Sequence, residues 1–227
     1  MGAIGDRYRS GGVAGVVRAV AARATGRPNV SYQAKVAAGR EQRWELFDAA
    51  IPSDAANLLD IGCNLGEHTA HFASRGLWSV GIDIDPRLVE KAVVRNAAVH
   101  KCGFMTMQLT PDSVATLPTF DVVLVLSVHH NWIKAYGPEV AGSLLAAVME
   151  RTGKVLIFEG AARRERYGDH PPDFVDNDEA SVTAHLEAYL HEYLGPTAAR
   201  IERLGKAPAL GEREPYRWSW AAYRPPS

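Results

Sequence analysis

The sequence predicts an α/β fold built on a doubly wound, mostly parallel β-sheet. From Asn57 onward, short β-type runs alternate with helical patterns through five consecutive β/α units. This alternation is typical of a parallel sheet with helices on both faces. Two late β-type runs then follow each other without a helix between them, which is typical of an antiparallel pair. The sequence therefore predicts an antiparallel C-terminal hairpin at one edge of the sheet.

The predicted elements alternate in the order that such a sheet requires. Strands of the parallel part are predicted at residues 57–61, 78–83, 104–109, 121–126 and 154–159, and helices at residues 66–74, 86–99, 138–151 and 179–194. Pro86 suits the first turn of a helix, because the N–H group that proline lacks would be unpaired there. Gly153 ends the third of these helices. The late strands are predicted at residues 198–204 and 216–223, joined by a loop at residues 205–215.

An N-terminal helical cap is predicted at residues 1–51, ahead of one domain at residues 52–227. The first cap helix has small apolar residues on one face, namely Val13, Val16, Val17, Val20 and Ala24. The second cap helix runs through Tyr32, Val36, Arg40, Arg43, Trp44 and Phe47. Two placements stay open for the cap. It lies across the carboxyl edge of the sheet, where ligands bind in such folds, or it forms a stabilising flank or a homodimer surface.

The composition is that of an ordinary globular protein in the cytoplasm. The 25 Lys and Arg residues against 26 Asp and Glu residues leave a net charge of −1. No overall positive field would hold a polyanion, so a nucleic-acid partner is not expected. The longest apolar stretches fall far short of the ~20 residues that span a bilayer, so no membrane association is expected either. Cys63 and Cys102 are predicted to be reduced thiols, which fits a cytoplasmic location.

A glycine-bearing turn joins the first predicted strand to the helix that follows it. The run reads L-L-D-I-G-C-N-L-G-E-H-T from residue 58 to residue 69, and Asp60 closes the strand. Such a turn brings a nucleotide-like cofactor against the backbone N–H groups at a helix start. Gly62 and Gly66 permit close approach and positive φ angles, and Asn64 is among the few other residues that tolerate the left-handed region.

A second acidic residue stands at the end of the second predicted strand. Asp83 comes 23 positions after Asp60, the spacing at which an acid accepts hydrogen bonds from ribose hydroxyls. The two motifs together indicate a nucleotide-like cofactor. The loop lacks the G-x-G-x-x-G spacing of NAD-dependent dehydrogenases, which argues against that alternative.

These motifs resemble the S-adenosylmethionine-dependent methyltransferases of the Rossmann-like fold. The resemblance covers residues 57–159, and the late strands match the usual final hairpin of that family. It implies that the D-I-G-C-N-L-G loop holds the methionine part of S-adenosylmethionine, that Asp83 binds the ribose, and that the fourth strand ends beside the methyl group. The cofactor-binding residues that it implies are Asp60, Gly62, Cys63, Asn64, Gly66, Asp83, Ile84, Asp112, Ser113 and Ser127.

The sequence departs from the usual family pattern at two places. Asn64 stands where the central glycine often is. The loop on the adenine side reads L-T-P-D-S and lacks an acidic residue directly after the strand. Which of Asp112 and Ser113 meets the adenine therefore stays open.

Two adjacent histidines follow the fourth predicted strand, where an acceptor must be aligned with the methyl group. Because the cofactor carries the reactive group, the protein has to align the acceptor and remove its proton. Histidine suits proton removal near neutral pH. His129 and His130 are therefore the predicted catalytic residues, with His130 favoured because it lies farther from the strand end. In an extended segment only one of them would face the cofactor, and in a surface loop neither would have a catalytic role.

The predicted acceptor is a hydroxyl group of a sugar or of another small polar metabolite. The residues expected to bind it are Trp44, Arg40, Arg43, Asn131, Trp132 and Glu159. Aromatic rings stack on a sugar face, and arginines bind hydroxyls or an anionic group. Residues 126–128, L-S-V, are also similar to bicoid-interacting-protein-type RNA methyltransferases, but the match is too short to imply an RNA substrate. Carboxyl methylation, N-methylation and a non-catalytic subunit that binds S-adenosylmethionine stay open.

An acidic run comes before the last predicted helix. It consists of Asp173, Asp176, Asp178 and Glu179. Carboxylates at this density can bind Mg²⁺, which some small-molecule O-methyltransferases use to orient a diol. Asp176 followed by Glu179 is also typical of a helix N-cap with an acid in the first turn. The N-cap is the favoured interpretation, and no metal ligand is predicted from this run.

Overall fold

A computed structural model of the protein describes residues 40–211 and 214–226. The predicted helix at residues 13–24 lies outside the described residues. Seven helices run in chain order α1 Arg40–Ala50, α2 Glu67–Ser74, α3 Pro86–Arg95, α4 Pro111–Val114, α5 His129–Tyr136, α6 Pro138–Glu150 and α7 Glu179–Leu194. Seven strands run β1 Asn57–Ile61, β2 Trp78–Asp83, β3 Cys102–Thr106, β4 Phe120–Leu126, β5 Thr152–Gly160, β6 Arg200–Gly211 and β7 Glu214–Tyr223.

The seven strands form one sheet in the order β3-β2-β1-β4-β5-β7-β6. Strands β1 to β5 are parallel to their neighbours, and β7 is antiparallel to both β5 and β6. The predicted Rossmann-like α/β fold with an antiparallel hairpin is confirmed. Because the parallel strands share one direction, their carboxyl ends lie at one edge of the sheet, which is where ligands bind in such folds.

Each face of the sheet buries its own apolar cluster, because successive side chains of a strand point to opposite faces. On one face, Phe47 of α1 and Phe72 of α2 pack with Leu58, Val122 and Ile157 of the central strands. On the other face, helices α5, α6 and α7 cover a cluster whose strand residues include Leu59, Val123, Phe158 and Trp220. The helices on both faces fix the carboxyl edge between them.

Helix α1 is the described part of the predicted cap. It combines a flank of the sheet with a contact at the carboxyl edge, the two placements that the sequence left open. Phe47 and Ala50 are buried in the apolar cluster of one sheet face. Arg43, one turn earlier, reaches Glu159 at the carboxyl end of β5. The helix is therefore a flank of the sheet that also contributes a side chain to the ligand-binding edge.

Three predicted elements have a boundary that is wrong by three residues or more. Strand β3 covers Cys102–Thr106 rather than residues 104–109, because it pairs only with β2 and that strand ends at Asp83. Helix α3 stops at Arg95 because Asn96 turns its side-chain amide onto the carbonyls of Leu65 and Ala92. The hairpin loop predicted at residues 205–215 is largely strand, since β6 continues to Gly211 and β7 begins at Glu214.

In residues 40–211 and 214–226, no helix is both long enough and apolar enough to cross a bilayer.

Candidate functional site

Four polar residues end the parallel strands at the carboxyl edge of the sheet. Asp60 and Asp83 lie at the ends of β1 and β2, and Glu159 lies near the end of β5. Ser127 follows β4 directly, and its N–H group donates to the Glu159 carbonyl at 3.1 Å. The sheet therefore brings together residues that the sequence separates by up to 99 positions, counted from Asp60 to Glu159.

The glycine loop between β1 and α2 has the backbone geometry expected from its sequence. Gly62, Asn64 and Gly66 have φ angles of 76°, 53° and 74°. A side chain on Gly66 would come within 2.3 Å of the Phe104 ring, and one on Gly62 would meet the methyl groups of Val128 at 3.0 Å. Glycine at these two positions therefore lets the loop lie against β3 and against the start of α5. The positive φ angles of both residues are a second reason for glycine there.

Asp83 binds the loop rather than a neighbouring side chain. Its Oδ2 atom accepts a hydrogen bond from the N–H group of Asn64 at 3.0 Å, and its Oδ1 atom accepts one from the N–H group of Asp85, also at 3.0 Å. Ile84 follows it with 37% of its surface exposed. A carboxylate fixed in this way offers hydrogen-bond acceptors for ribose hydroxyls, and the exposed apolar side chain beside it offers a surface for an adenine ring.

Asp60 is buried and bound to the first turn of α2. Its Oδ2 atom accepts hydrogen bonds from the Thr69 N–H group at 3.1 Å and from the Thr69 hydroxyl at 2.6 Å. Burial raises the pKa of Asp60 to about 6, and the hydrogen bonds from Thr69 oppose this shift. The sequence did not single out Thr69, although a hydroxyl in the first turn of a helix is a common partner for an acid at the preceding strand end.

The other residues of the expected cofactor site divide into two groups. Cys63 is buried within the loop, and burial raises the pKa of its thiol far above the ordinary value. Ser113 forms a capping box with Thr110 at the start of α4, while Asp112 is exposed. The Ser113 side chain already has partners in the helix start, so of the two adenine-side candidates Asp112 is the one open to a ligand.

The residue types of the site fit S-adenosylmethionine. Asp83 offers carboxylate oxygens for ribose hydroxyls, and Ile84 offers an apolar surface for adenine, while the N–H groups of Gly62 and Cys63 in the loop donate to the Ile82 carbonyl. Ser127, which adopts a φ of 58°, lies next to this loop because β1 and β4 are neighbours. A non-glycine residue held in this region is uncommon and is found most often at functional sites.

His129 and His130 form the first turn of α5, so the extended conformation considered from the sequence is wrong for this segment. His129 is 1% exposed and lies among the rings of Trp132, Phe158 and Tyr189, with centroid distances of 4.7–6.3 Å. Burial lowers the pKa of His129 to about 3. This environment keeps the imidazole neutral and surrounds it with aromatic rings.

His130 is also buried, at 4% exposure, and its ring centroid lies 6.2 Å from that of Tyr167. Asn131 is half-buried and its N–H group donates to the Val128 carbonyl at 2.9 Å. Trp132, expected to stack on a sugar, is 6% exposed and packs in the core beneath α6. The stacking role of Trp132 is therefore wrong for this structure, because the core covers its ring.

A buried polar network links four elements at the carboxyl edge. Arg43 of α1 donates to both carboxylate oxygens of Glu159, from Nε at 2.9 Å and from Nη2 at 2.8 Å. The Ser127 hydroxyl donates to Glu159 Oε1, and Nη1 of Arg217 in β7 donates to the Ser127 hydroxyl oxygen. Glu159 is 0% exposed. The bidentate pair fixes the carboxylate in one orientation beside the end of β4.

Sequence reasoning missed Arg217. The signal that could have found it is the alternation within β7. Arg217, Ser219 and Ala221 share the sheet face opposite to that of Trp218 and Trp220, and an arginine on a covered face requires a buried partner.

The remaining acceptor candidates of α1 are engaged with α2. The Trp44 ring stacks on His71 at 4.1 Å and donates from Nε1 to His68 Nδ1 at 3.2 Å. Arg40 lies 5.0 Å from the Trp44 ring centroid and 3.5 Å from the Glu67 carboxylate. In this structure Trp44 and Arg40 hold α1 against α2, so any contact with an acceptor would come in addition to these interactions.

The acidic run before α7 is a capping structure with a different capping residue from the expected one. Asp178, rather than Asp176, caps the helix by accepting from the Ser181 N–H group at 2.8 Å. Asp176 instead accepts from the Arg164 N–H group at 2.8 Å. No three His, Cys, Asp or Glu side chains come together as a metal site within the described ranges 40–211 and 214–226.

Replacing Asp83 by Ala is expected to weaken S-adenosylmethionine binding by roughly 1.5–3 kcal/mol, about 10- to 150-fold in Kd, because hydrogen bonds to a charged group are lost. Titration calorimetry measures this change. The matched control is Asp54→Ala, since Asp54 precedes β1 at the opposite edge of the sheet and contacts Lys154. Equal affinities of the wild-type protein and Asp83→Ala would remove Asp83 from the cofactor site.

Comparison with known families gives one match, to a family model described as a methyltransferase domain, over residues 59–155. This range begins in β1 and ends in β5, and it contains the glycine loop, Asp83 and both histidines. No curated protein is similar to the chain in sequence.

Solved structures share the fold at low sequence identity. WbdD, a bifunctional kinase-methyltransferase, superimposes with a TM-score of 0.63 at 21% identity over 80% of this chain and 40% of its own. The chain thus spans about two-fifths of the length of WbdD. Magnesium protoporphyrin IX methyltransferase from Synechocystis PCC 6803, with bound S-adenosylmethionine, matches over 97% of this chain and 94% of its own, at 21% identity and a TM-score of 0.55. The N-terminal domain of EvdMO1, determined with S-adenosylhomocysteine and D-fucose, matches over 81% and 82% at 17% identity and a TM-score of 0.54.

Proposed function

We propose that this chain, an S-adenosylmethionine-dependent methyltransferase of Rossmann-like fold, methylates a hydroxyl group of a sugar or of another small polar metabolite in the cytoplasm. The observation that carries the proposal is the contact between the cofactor loop and the start of α5. The methyl groups of Val128 fill the space beside Gly62, and His129 and His130 follow directly. Both candidate proton acceptors thus follow, within two positions along the chain, a residue that contacts the loop expected to carry the cofactor.

When bound, S-adenosylmethionine supplies a methyl group on a positively charged sulfur. The residues of the chain then have to orient the acceptor and take its proton, because a hydroxyl is a poor nucleophile while it remains protonated. Of the two histidines, His130 is the proposed base. Enclosure by three aromatic rings and a pKa of about 3 make His129 a weak proton acceptor.

The network around Glu159 forms the neighbouring wall of the proposed acceptor site. Its Arg43 and Arg217 side chains come from elements outside the parallel strands, α1 and β7. Guanidinium groups offer several N–H donors in one plane, which suits hydroxyl oxygens of an acceptor. Asn131, half-buried in the first turn of α5, is a further proposed contact.

The similar solved structures support a small-molecule acceptor. EvdMO1 was studied with D-fucose, and the substrate of the Synechocystis enzyme is a porphyrin. Both are small molecules. The net charge of −1 also argues against a nucleic-acid substrate.

A panel of acceptors tests the proposal. Purified protein is incubated with S-adenosylmethionine labelled in its methyl group and with sugars, phenols, carboxylic acids, amines and short RNAs in parallel. Label on a sugar or another hydroxyl compound, absent with Asp83→Ala at limiting cofactor, is the expected result. Label only on carboxylates, amines or RNA contradicts the proposed acceptor. Cofactor binding without transfer to any compound contradicts catalysis and supports a binding subunit.

A further inference from the structure

The carboxylate of Asp60 is bound on one side only. Both hydrogen bonds from Thr69 reach Oδ2, and within the described part of the chain Oδ1 accepts none. The residue is the last but one of β1, just before the glycine loop, at the edge where the cofactor is expected. Thr69 therefore fixes the carboxylate through one oxygen and leaves the other oxygen without a hydrogen bond from the described residues.

We propose that Asp60 makes the protein prefer S-adenosylmethionine to its own product, S-adenosylhomocysteine. The two molecules share the adenosine, the amino group and the carboxylate, and they differ by one methyl group and one positive charge on sulfur. A carboxylate fixed at the end of β1 attracts that charge and gains nothing from the neutral product. Weaker binding of S-adenosylhomocysteine favours product release. This proposal rests on the assignment of S-adenosylmethionine as the cofactor and does not depend on the nature of the acceptor.

Charged groups of two neighbouring elements, β2 and α1, interact with Asp60. Asp83 of β2 adds negative charge, and Arg43 of α1 adds positive charge. The Arg43 charge is paired with the Glu159 carboxylate. Neighbouring β4 pairs Leu124 with Asp60 and adds no charge.

Between pH 5 and 8, burial favours the neutral form of the Cys and His side chains near Asp60. Burial raises the pKa of Cys63 in the loop far above this range and that of Cys102 in β3 to about 11. Burial lowers the pKa of His68 in α2 well below its ordinary value. Asp60, with a pKa of about 6, is thus the group among these whose charge changes in this interval.

The direction of the pH dependence follows from this titration. Below about pH 6 Asp60 is protonated and neutral, so the charge on sulfur gains little from it. Above pH 6 the carboxylate is ionised and attracts the charge. The ratio of Kd for S-adenosylhomocysteine to Kd for S-adenosylmethionine is therefore expected to rise about fivefold from pH 5 to pH 8, because part of a tenfold preference for the charged sulfur is already present at pH 5.

Calorimetric titrations at pH 5, 6, 7 and 8 test this proposal with no acceptor present. The probes are S-adenosylmethionine, S-adenosylhomocysteine and sinefungin, which carries an ammonium group in place of the sulfonium. In the wild-type protein, the Kd of each charged probe should fall relative to the Kd of S-adenosylhomocysteine as pH rises. Asp60→Asn should give a ratio that does not change with pH. The control Asp83→Asn should weaken all three probes and keep the rise.

Thr69→Val provides a second variant that retains Asp60. It removes the hydroxyl that stabilises the ionised carboxylate, so the midpoint of the rise should move to higher pH. A constant ratio in the wild-type protein, or a rise that persists in Asp60→Asn, would overturn the proposal. Failure of the wild-type protein to bind any probe would overturn the cofactor assignment and this inference together, whereas failure of the acceptor panel alone leaves the measurement intact.

Discussion

Replacing Glu159 by Gln is expected to lower the free energy of unfolding by about 3–5 kcal/mol, because the buried Arg43 guanidinium then loses its counter-charge. Arg43 and Glu159 are both nearly inaccessible to water, and two hydrogen bonds join them. Desolvation of an unpaired guanidinium is costly, whereas the intact pair offsets much of that cost. Urea denaturation followed by circular dichroism measures the change.

The chain offers a matched control for Glu159→Gln on its surface. Glu179 pairs with Lys206, and both side chains are about half exposed. Exposed ion pairs contribute little to stability because water screens both charges. Glu179→Gln should therefore leave the unfolding midpoint nearly unchanged. Similar midpoints for the two variants would contradict the view that burial makes the Arg43–Glu159 pair important.

Replacing His130 by Ala is expected to reduce turnover by ~10²–10⁴-fold, the effect of losing a positioned general base. Affinity for S-adenosylmethionine should stay nearly constant, because the glycine loop and Asp83 are the proposed cofactor contacts. The residual rate should also lose its dependence on pH near neutrality. Steady-state rates with the acceptor found in the panel, measured from pH 5 to pH 9, test both expectations.

His129→Phe is the matched control for His130→Ala. The substitution keeps an aromatic ring among Trp132, Phe158 and Tyr189 and removes the ring nitrogens, neither of which has a hydrogen-bond partner in the described structure. Turnover should remain close to that of the wild-type protein. Full turnover of His130→Ala with an unchanged pH profile would exclude His130 as the base. The Ser127 and Glu159 side chains would then be the next candidates.

Local sequence patterns predicted the part of the structure that depends on local geometry. Gly62, Asn64 and Gly66 adopt positive φ angles as their residue types indicate. The alternation of strands and helices predicted the parallel sheet and its antiparallel hairpin. Both are consequences of backbone preference and of hydrophobic period, and neither requires knowledge of distant neighbours.

The remainder of the site depends on tertiary packing. The first turn of α5 is helical where Val128 and Trp132 pack against neighbouring elements. The polar residues 129–131 between them give no sign of this packing in the sequence. The partner of Glu159 lies 116 positions away in α1, and Arg217 lies 90 positions from Ser127. No pattern within either segment indicates these pairings.

The insertion of β7 between β5 and β6 has a consequence for the order of folding. Strand β6 comes earlier in the chain but contacts the sheet through β7, so it cannot pair stably until β7 has joined β5. Loop closure over such separations is slow compared with the formation of local hairpins and helices. We expect the β6–β7 hairpin to dock as a unit in a late step. The network at Ser127 is then completed only after this step, so a kinetic intermediate would have a formed glycine loop and an open acceptor side.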